Sequence, residues 1–268
     1  MNKEKIDKLF NNVYVEINTN HDEAVNVYNK YLQKNSKVPV LVNFDSHSDL
    51  SVNNKLYRIS IANWVNFCIK KFDIDEFYWV IPEHIIRAVN KKMFVITSKK
   101  IEETNFFCFE NMETNPLKNN FGHVYYSKKT NEIRNEKNFE YINKKCDKYG
   151  ISPILDEKDW KKVKVTILTE DELGELNNKK ILLSVDADYF CNSGFDTTLK
   201  LNNVDITKDN LLNKFDNFID KLEENNIDIA CCSLTYSPIY FPSKFKKEIE
   251  NFYQEIKTAS KVDEVVEN

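Results

Sequence analysis

Two short stretches of this chain carry residue types at spacings that can do chemistry. In Val40-Leu-Val-Asn-Phe-Asp45-Ser-His47-Ser-Asp49 an apolar run leads into three metal-type ligands at i, i+2 and i+4. Side chains two apart on an extended segment point the same way, so Asp45, His47 and Asp49 can converge just beyond a strand end. Ile181-Leu-Leu-Ser-Val-Asp186-Ala-Asp188 repeats the design with two acids at i and i+2. Four carboxylates brought together without compensation repel one another and lose hydration. Divalent cations remove that cost, and carboxylates with imidazole suit a hard or borderline ion such as Mn²⁺ better than a thiolate zinc site. One such pair alone also reads as turn formers or helix caps; two, each directly after an apolar run, favour metal.

The elements that must position these residues follow from patterning. Apolar runs rich in Val, Ile, Phe and Tyr occur at 13–17, 38–44, 77–81, 93–97, 106–109, 123–126, 163–168, 181–185 and 227–234. Such runs fit strands covered on both faces. Helical spacing of apolar residues marks 22–33, 59–72, 209–224 and 244–256. Strands alternating with helices predict an α/β fold, three layers α/β/α around a mostly parallel sheet. The reading is one domain over 1–268. Residues 101–162 form a polar, irregular insertion, with a hairpin and a helix at 136–149, and 260–268 form a frayed tail.

Bulk properties exclude several classes. The chain has 268 residues, 41% apolar and 13% aromatic, enough for a packed core without staples. With 38 basic and 42 acidic residues, interspersed, it shows no basic face for nucleic acid. No apolar run approaches the roughly 20 residues of a membrane span. Six cysteines without a C-x-x-C pair and an N-terminal stretch without an apolar core lead to the expectation of a reduced, cytoplasmic protein. Four glycines leave no Gly-rich phosphate loop.

Asp45-Ser-His47-Ser-Asp49 resembles the D-A-H-x-D motif of the arginase/agmatinase/histone-deacetylase superfamily, and Ser184-Val-Asp186-Ala-Asp188 resembles its S-x-D-x-D motif. The chain is most similar to the UPF0489 branch, which includes peptide arginases. That branch shows an early His before a helix, as in His21-Asp22-Glu23-Ala24, a W-V-x-P element, as in Trp79-Val-Ile-Pro82, and S-P-x-Y, as in Ser237-Pro-Ile-Tyr240. The resemblance spans most of residues 12 to 242. It implies an arginase-like catalytic domain with two Mn²⁺. One ion would take His21, Asp45, Asp49 and Asp186, and the other Asp45, His47, Asp186 and Asp188, with Asp45 and Asp186 bridging. It also implies hydrolysis of a guanidinium carbon, with Asp49 steering a proton. The substrate would be an arginine-containing peptide or a small guanidino compound.

The sequence departs from arginases in places. The 227–234 strand would carry their guanidinium-binding Glu, yet Cys232, Ser233 and Thr235 stand there. Glu83, after Trp79-Val-Ile-Pro82, is the substitute candidate. Neighbouring His84 reads as a proton shuttle to the leaving amine or, equally, as a helix-start residue. His21 also reads as part of a helix N-terminus. His123 reads as a strand residue, Cys191 as an inert thiol, the tryptophans as core, and Tyr236 and Tyr240 as either groove or packing. Two other functions compete. An amide deacetylase would add a His pair beside one metal, and four histidines at 21, 47, 84 and 123 show none. A catalytically inactive binding module of the same fold would have no need of intact acids in both motifs.

Overall fold

The computed structural model of the chain describes residues 3–35, 39–47, 49–50, 59–82, 122–129, 133–135, 160–191 and 206–261. Glu83, His84, the runs at 93–97 and 106–109 and the helix at 136–149 lie outside them. In chain order the elements are α1 (Lys3–Phe10), β1 (Tyr14–Asn18), α2 (Ala24–Leu32), β2 (Val40–Phe44), α3 (Trp64–Lys71), β3 (Glu76–Val80), β4 (Gly122–Ser127), β5 (Ile133–Asn135), β6 (Trp160–Leu168), β7 (Lys180–Asp186), α4 (Lys208–Glu224), β8 (Asp228–Thr235) and α5 (Lys246–Ala259).

One eight-stranded sheet runs β1-β8-β7-β2-β3-β6-β4-β5. The first six strands in that order pair in parallel, and β4 and β5 close the far edge antiparallel. Alternate residues of β7 serve opposite layers. Leu183 and Val185 of β7 pack with Phe215, Phe218 and Ile219 of α4 and Phe252 of α5. Leu182 faces the other way, into the layer of Val25 and Tyr28 from α2 and Trp64 and Ile69 from α3. The anticipated three-layer α/β/α fold with a mostly parallel sheet is therefore observed.

Local differences have local causes. α1 lacks a long apolar face and escaped the periodicity reading; only Ile6 and Phe10 are buried from it, beside α5 residues such as Ile256. α3 starts at Trp64 rather than 59 because the Asn63 side chain accepts from the Ser60 N–H at 2.9 Å and holds a turn ahead of it. Part of the 101–162 stretch is regular: β4 and β5 form a hairpin with Tyr126 opposite Ile133.

The connections decide where a site can lie. β1 and β2 lead into α2 and α3 on one face, whereas β7 and β8 lead into α4 and α5 on the other. From β2 the chain moves toward β3, and from β7 it moves the opposite way, toward β8. The boundary between β2 and β7 is thus a topological switch point. In open α/β sheets a crevice opens there at the carboxyl ends of the strands. Both acidic motifs leave the sheet at that boundary. Among the described residues no helix is long and apolar enough to cross a membrane.

Candidate metal centre

Three strands, β1, β7 and β2, deliver the cluster. β2 ends at Phe44 and releases Asp45, His47 and Asp49; β7 ends in Asp186 with Asp188 two residues on. His21 comes from the exit of β1, in a single helical turn (His21–Glu23) that leads into α2. His21 opens a helical turn and also faces the cluster. Glu23 Oε1 accepts from the Asn20 backbone N–H at 3.1 Å, the cap of a helix start, while the imidazole is only 2% exposed and turned into the site.

His21 Nδ1 stands 3.0 Å from Asp45 Oδ2, 2.9 Å from Asp49 Oδ2 and 3.1 Å from Asp186 Oδ2. One N–H satisfies one of three such oxygens, and a divalent cation would satisfy the others. Ligands about 2.1 Å from an ion and at right angles stand about 3.0 Å apart, the separation seen here. A second group shares Asp45: His47 Nδ1 lies 3.5 Å from Asp45 Oδ1 and 3.0 Å from Asp188 Oδ2. Asp188 Oδ2 is buried and not aligned for any hydrogen bond. In each of the groups His21–Asp45–Asp186 and Asp45–His47–Asp188 the ligand atoms lie within 4.8 Å of one another. The residues present thus fit two divalent ions, and the four carboxylates neutralise them.

The ligands are held from behind. His21 Nε2 meets Ser184 Oγ at 2.6 Å, which leaves Nδ1 for the cluster. Trp64 Nε1 donates to Asp49 Oδ2 at 2.5 Å, and Trp79 Nε1 to the Asp45 carbonyl at 2.9 Å. Asn43 Nδ2 donates to Asp45 Oδ2 at 3.2 Å, and Ser237 Oγ to Asp186 Oδ2. Asp49 itself has φ of 50°, a left-handed conformation that Asp tolerates better than most residues. Sequence reasoning took both tryptophans as core and passed over Asn43 and Ser184. A polar residue inside an apolar run, two before the first ligand of each motif, is the signal that marks them.

Charge states follow from burial and crowding. Burial, then the charges of Asp188 and Asp45, push the Asp186 carboxyl up to about 6. Burial, then Asp45, push Asp188 up to about 6. Burial disfavours the charged form of His21, but hydrogen bonds and charge from Asp186, with bonds from Asp45 and Asp49, outweigh it and hold the imidazole well above its ordinary range. Without metal, all three groups bind protons more tightly folded than unfolded. Their stabilisation is complete below the unfolded pKa values and is lost as pH rises through about 6 for the aspartates and higher for His21. The metal-free protein is expected to melt several degrees higher at pH 5.5 than at pH 7.5, at about 2–4 °C per kcal/mol for a chain of this size. With saturating Mn²⁺ the order reverses, because protons then compete with the ions. Thermal scans at both pH values with chelator and with Mn²⁺ check this; equal pH trends in the two series would remove the buried acidic cluster as its cause.

The exposed part of the cleft lining, its lips, includes Ile61, Ala62, Pro238 and Ile239, with Tyr240 half-buried. The Cys191 thiol is buried, and that burial pushes it up to about 11, which disfavours the thiolate a nucleophile needs.

No known protein family's sequence profile matches the chain, and no curated protein matches it by sequence. Among solved structures, a Clostridium difficile protein assigned as an agmatinase aligns over 92% of this chain and 67% of its own, with 14% identity and a TM-score of 0.46. Proclavaminate amidino hydrolase from Streptomyces clavuligerus aligns over 96% and 68%, with 14% identity and a TM-score of 0.37.

Proposed function

We propose that the chain is a dinuclear, Mn²⁺-using hydrolase of the ureohydrolase type that opens the guanidinium of an arginine side chain within a peptide, leaving ornithine and releasing urea. The observation that carries this reading is the convergence of His21, Asp45, His47, Asp49, Asp186 and Asp188 at the switch point, with ligand atoms about 3 Å apart. When bound, two divalent ions supply Lewis acidity and a water of lowered pKa.

The chain's own residues do the rest. Asp45 and Asp186 would hold both ions, His21 and Asp49 one, and His47 and Asp188 the other. Asp49 Oδ2, held by Trp64 Nε1, is the proposed proton carrier at the cleft floor. Glu83 is the proposed anionic contact for the guanidinium, because the exit of β8 offers Thr235 and no acid, and His84 the proposed proton donor to the leaving amine. Acidic floor and apolar lips together suit a cationic group at the end of an uncharged chain.

The test sets guanidine against amide chemistry. The Mn²⁺-loaded protein is incubated with an arginine peptide and with an acetyl-lysine peptide, and urea and mass are read. Loss of about 42 mass units from the arginine peptide, as two-metal hydrolysis releases urea, is expected. Acetate release instead would establish the deacetylase, and no reaction of either with two ions bound would favour a binding module.

A further inference from the structure

The turn at 237–240, just beyond β8, touches the cluster at Asp186 and at His47. The Tyr236 and Ser237 N–H groups donate to the Asn18 and Thr19 carbonyls at 3.0 and 3.2 Å, tying the exit of β8 to the exit of β1, two residues before His21. Tyr240 stacks at a tilt on His47, ring centroids 5.0 Å apart. Ser237 Oγ donates to Asp186 Oδ2. The turn closes on itself through the Tyr240 and Phe241 N–H groups, both 2.9 Å from the Ser237 carbonyl.

Ser237 itself is 8% exposed and has φ of 42°. An L residue other than Gly, Asn or Asp seldom takes that conformation, and where one does the surroundings hold it there, often at a functional site. A turn alone is served better by Gly. The hydroxyl is what Gly lacks, and it is spent on one oxygen of Asp186. The other oxygen, Oδ1, accepts from the Asp188 N–H at 3.0 Å. With both oxygens held, the carboxylate plane is set, with Oδ2 3.1 Å from His21 Nδ1 in one ligand group and Oδ1 bonded to the backbone of Asp188, a member of the other.

We propose that Ser237 is a positioning residue that orients the Asp186 carboxylate so that it can serve both ion positions. The proposal rests on the two-metal reading above and names a residue that holds the shared ligand from behind. Such partners of metal ligands typically contribute about 10–100-fold to metal affinity.

The test uses Ser237→Gly and Ser237→Ala in the full chain, with free Mn²⁺ followed by its electron paramagnetic resonance signal during titration, and the melting temperature of the metal-free protein alongside. Ser237→Gly keeps the turn and removes only the hydroxyl. Both variants are expected to bind Mn²⁺ about tenfold or more weakly, while metal-free Ser237→Gly melts at or above the wild type. Should Ser237→Ala fail to fold, the glycine variant decides alone. Wild-type affinity in Ser237→Gly would overturn the proposal and reduce Ser237 to a turn residue. A wild type that binds no Mn²⁺ would instead remove the two-metal reading itself, which keeps the two failures apart.

Discussion

Asp186→Asn is expected to lose metal and activity together while the metal-free protein becomes more stable at neutral pH. Asp186 is buried, and its Oδ2 lies 3.1 Å from His21 Nδ1 within one ligand group, while Asp188 of the second group donates its N–H to Oδ1. If Asp186 is shared as proposed, replacing its carboxylate by an amide removes an anionic ligand from both ion positions. A cost of about 4 kcal/mol in binding lowers affinity about a thousandfold, enough to empty the site after dialysis. Without metal the sign is opposite. The Asp186 carboxyl is pushed up to about 6 by burial and by its acidic neighbours, so at pH 7.5 its charge works against folding. Asn keeps an oxygen for the Asp188 N–H and removes that charge. Elemental analysis, urea release and melting of the chelated protein at pH 7.5 are the measurements. Full metal occupancy in the variant would end the bridging role. Metal loss with a lower metal-free melting temperature would show that Asp186 matters chiefly for packing.

Arginine inside a peptide is expected to be hydrolysed with a kcat/KM at least about tenfold above that of free arginine, since binding energy from parts remote from the reacting carbon raises kcat/KM. The cleft floor is acidic, and the described lips carry apolar residues: Ile61, Ala62, Pro238 and Ile239. Ile239 is 63% exposed, far more than the other exposed large apolar residues, Ile59, Ile61 and Leu212. An exposed Ile beside a polar pocket gains from covering by a neighbouring residue of a peptide, at about 25 cal/mol per Å² of apolar surface removed from water. The charged ends of a free amino acid gain nothing from such a lip. Steady-state kinetics on free arginine and on peptides with one internal arginine measure the ratio. Faster turnover of free arginine would overturn the peptide preference and leave the two-metal chemistry standing.

Strand ends and acids were legible in the sequence because they depend on neighbours within a few residues. An apolar run that stops at Asp45 or Asp186 is visible at short range, and the runs at 163–168 and 181–185 fall inside β6 and β7. Alternation of such runs with helical spacing sufficed for the three-layer class, since each face of a buried strand must be covered. That the two D-containing motifs would converge was inferable from chemistry, because buried carboxylates need a common counter-charge.

Tertiary structure alone decided which strands are neighbours. β7 lies between β2 and β8 although about 140 residues separate Asp45 from Asp186 in the chain, and pairing over such distances reflects the burial of whole faces rather than any local signal. The same holds for His21, whose sequence surroundings describe only a helix start and whose orientation comes from Ser184 across the sheet. Trp64 and Trp79 read as core from composition, and core they are, yet each has an indole N–H turned to the site. Burial is a property of the whole side chain, whereas function here rests on one atom of it, and only the packed fold decides where that atom points.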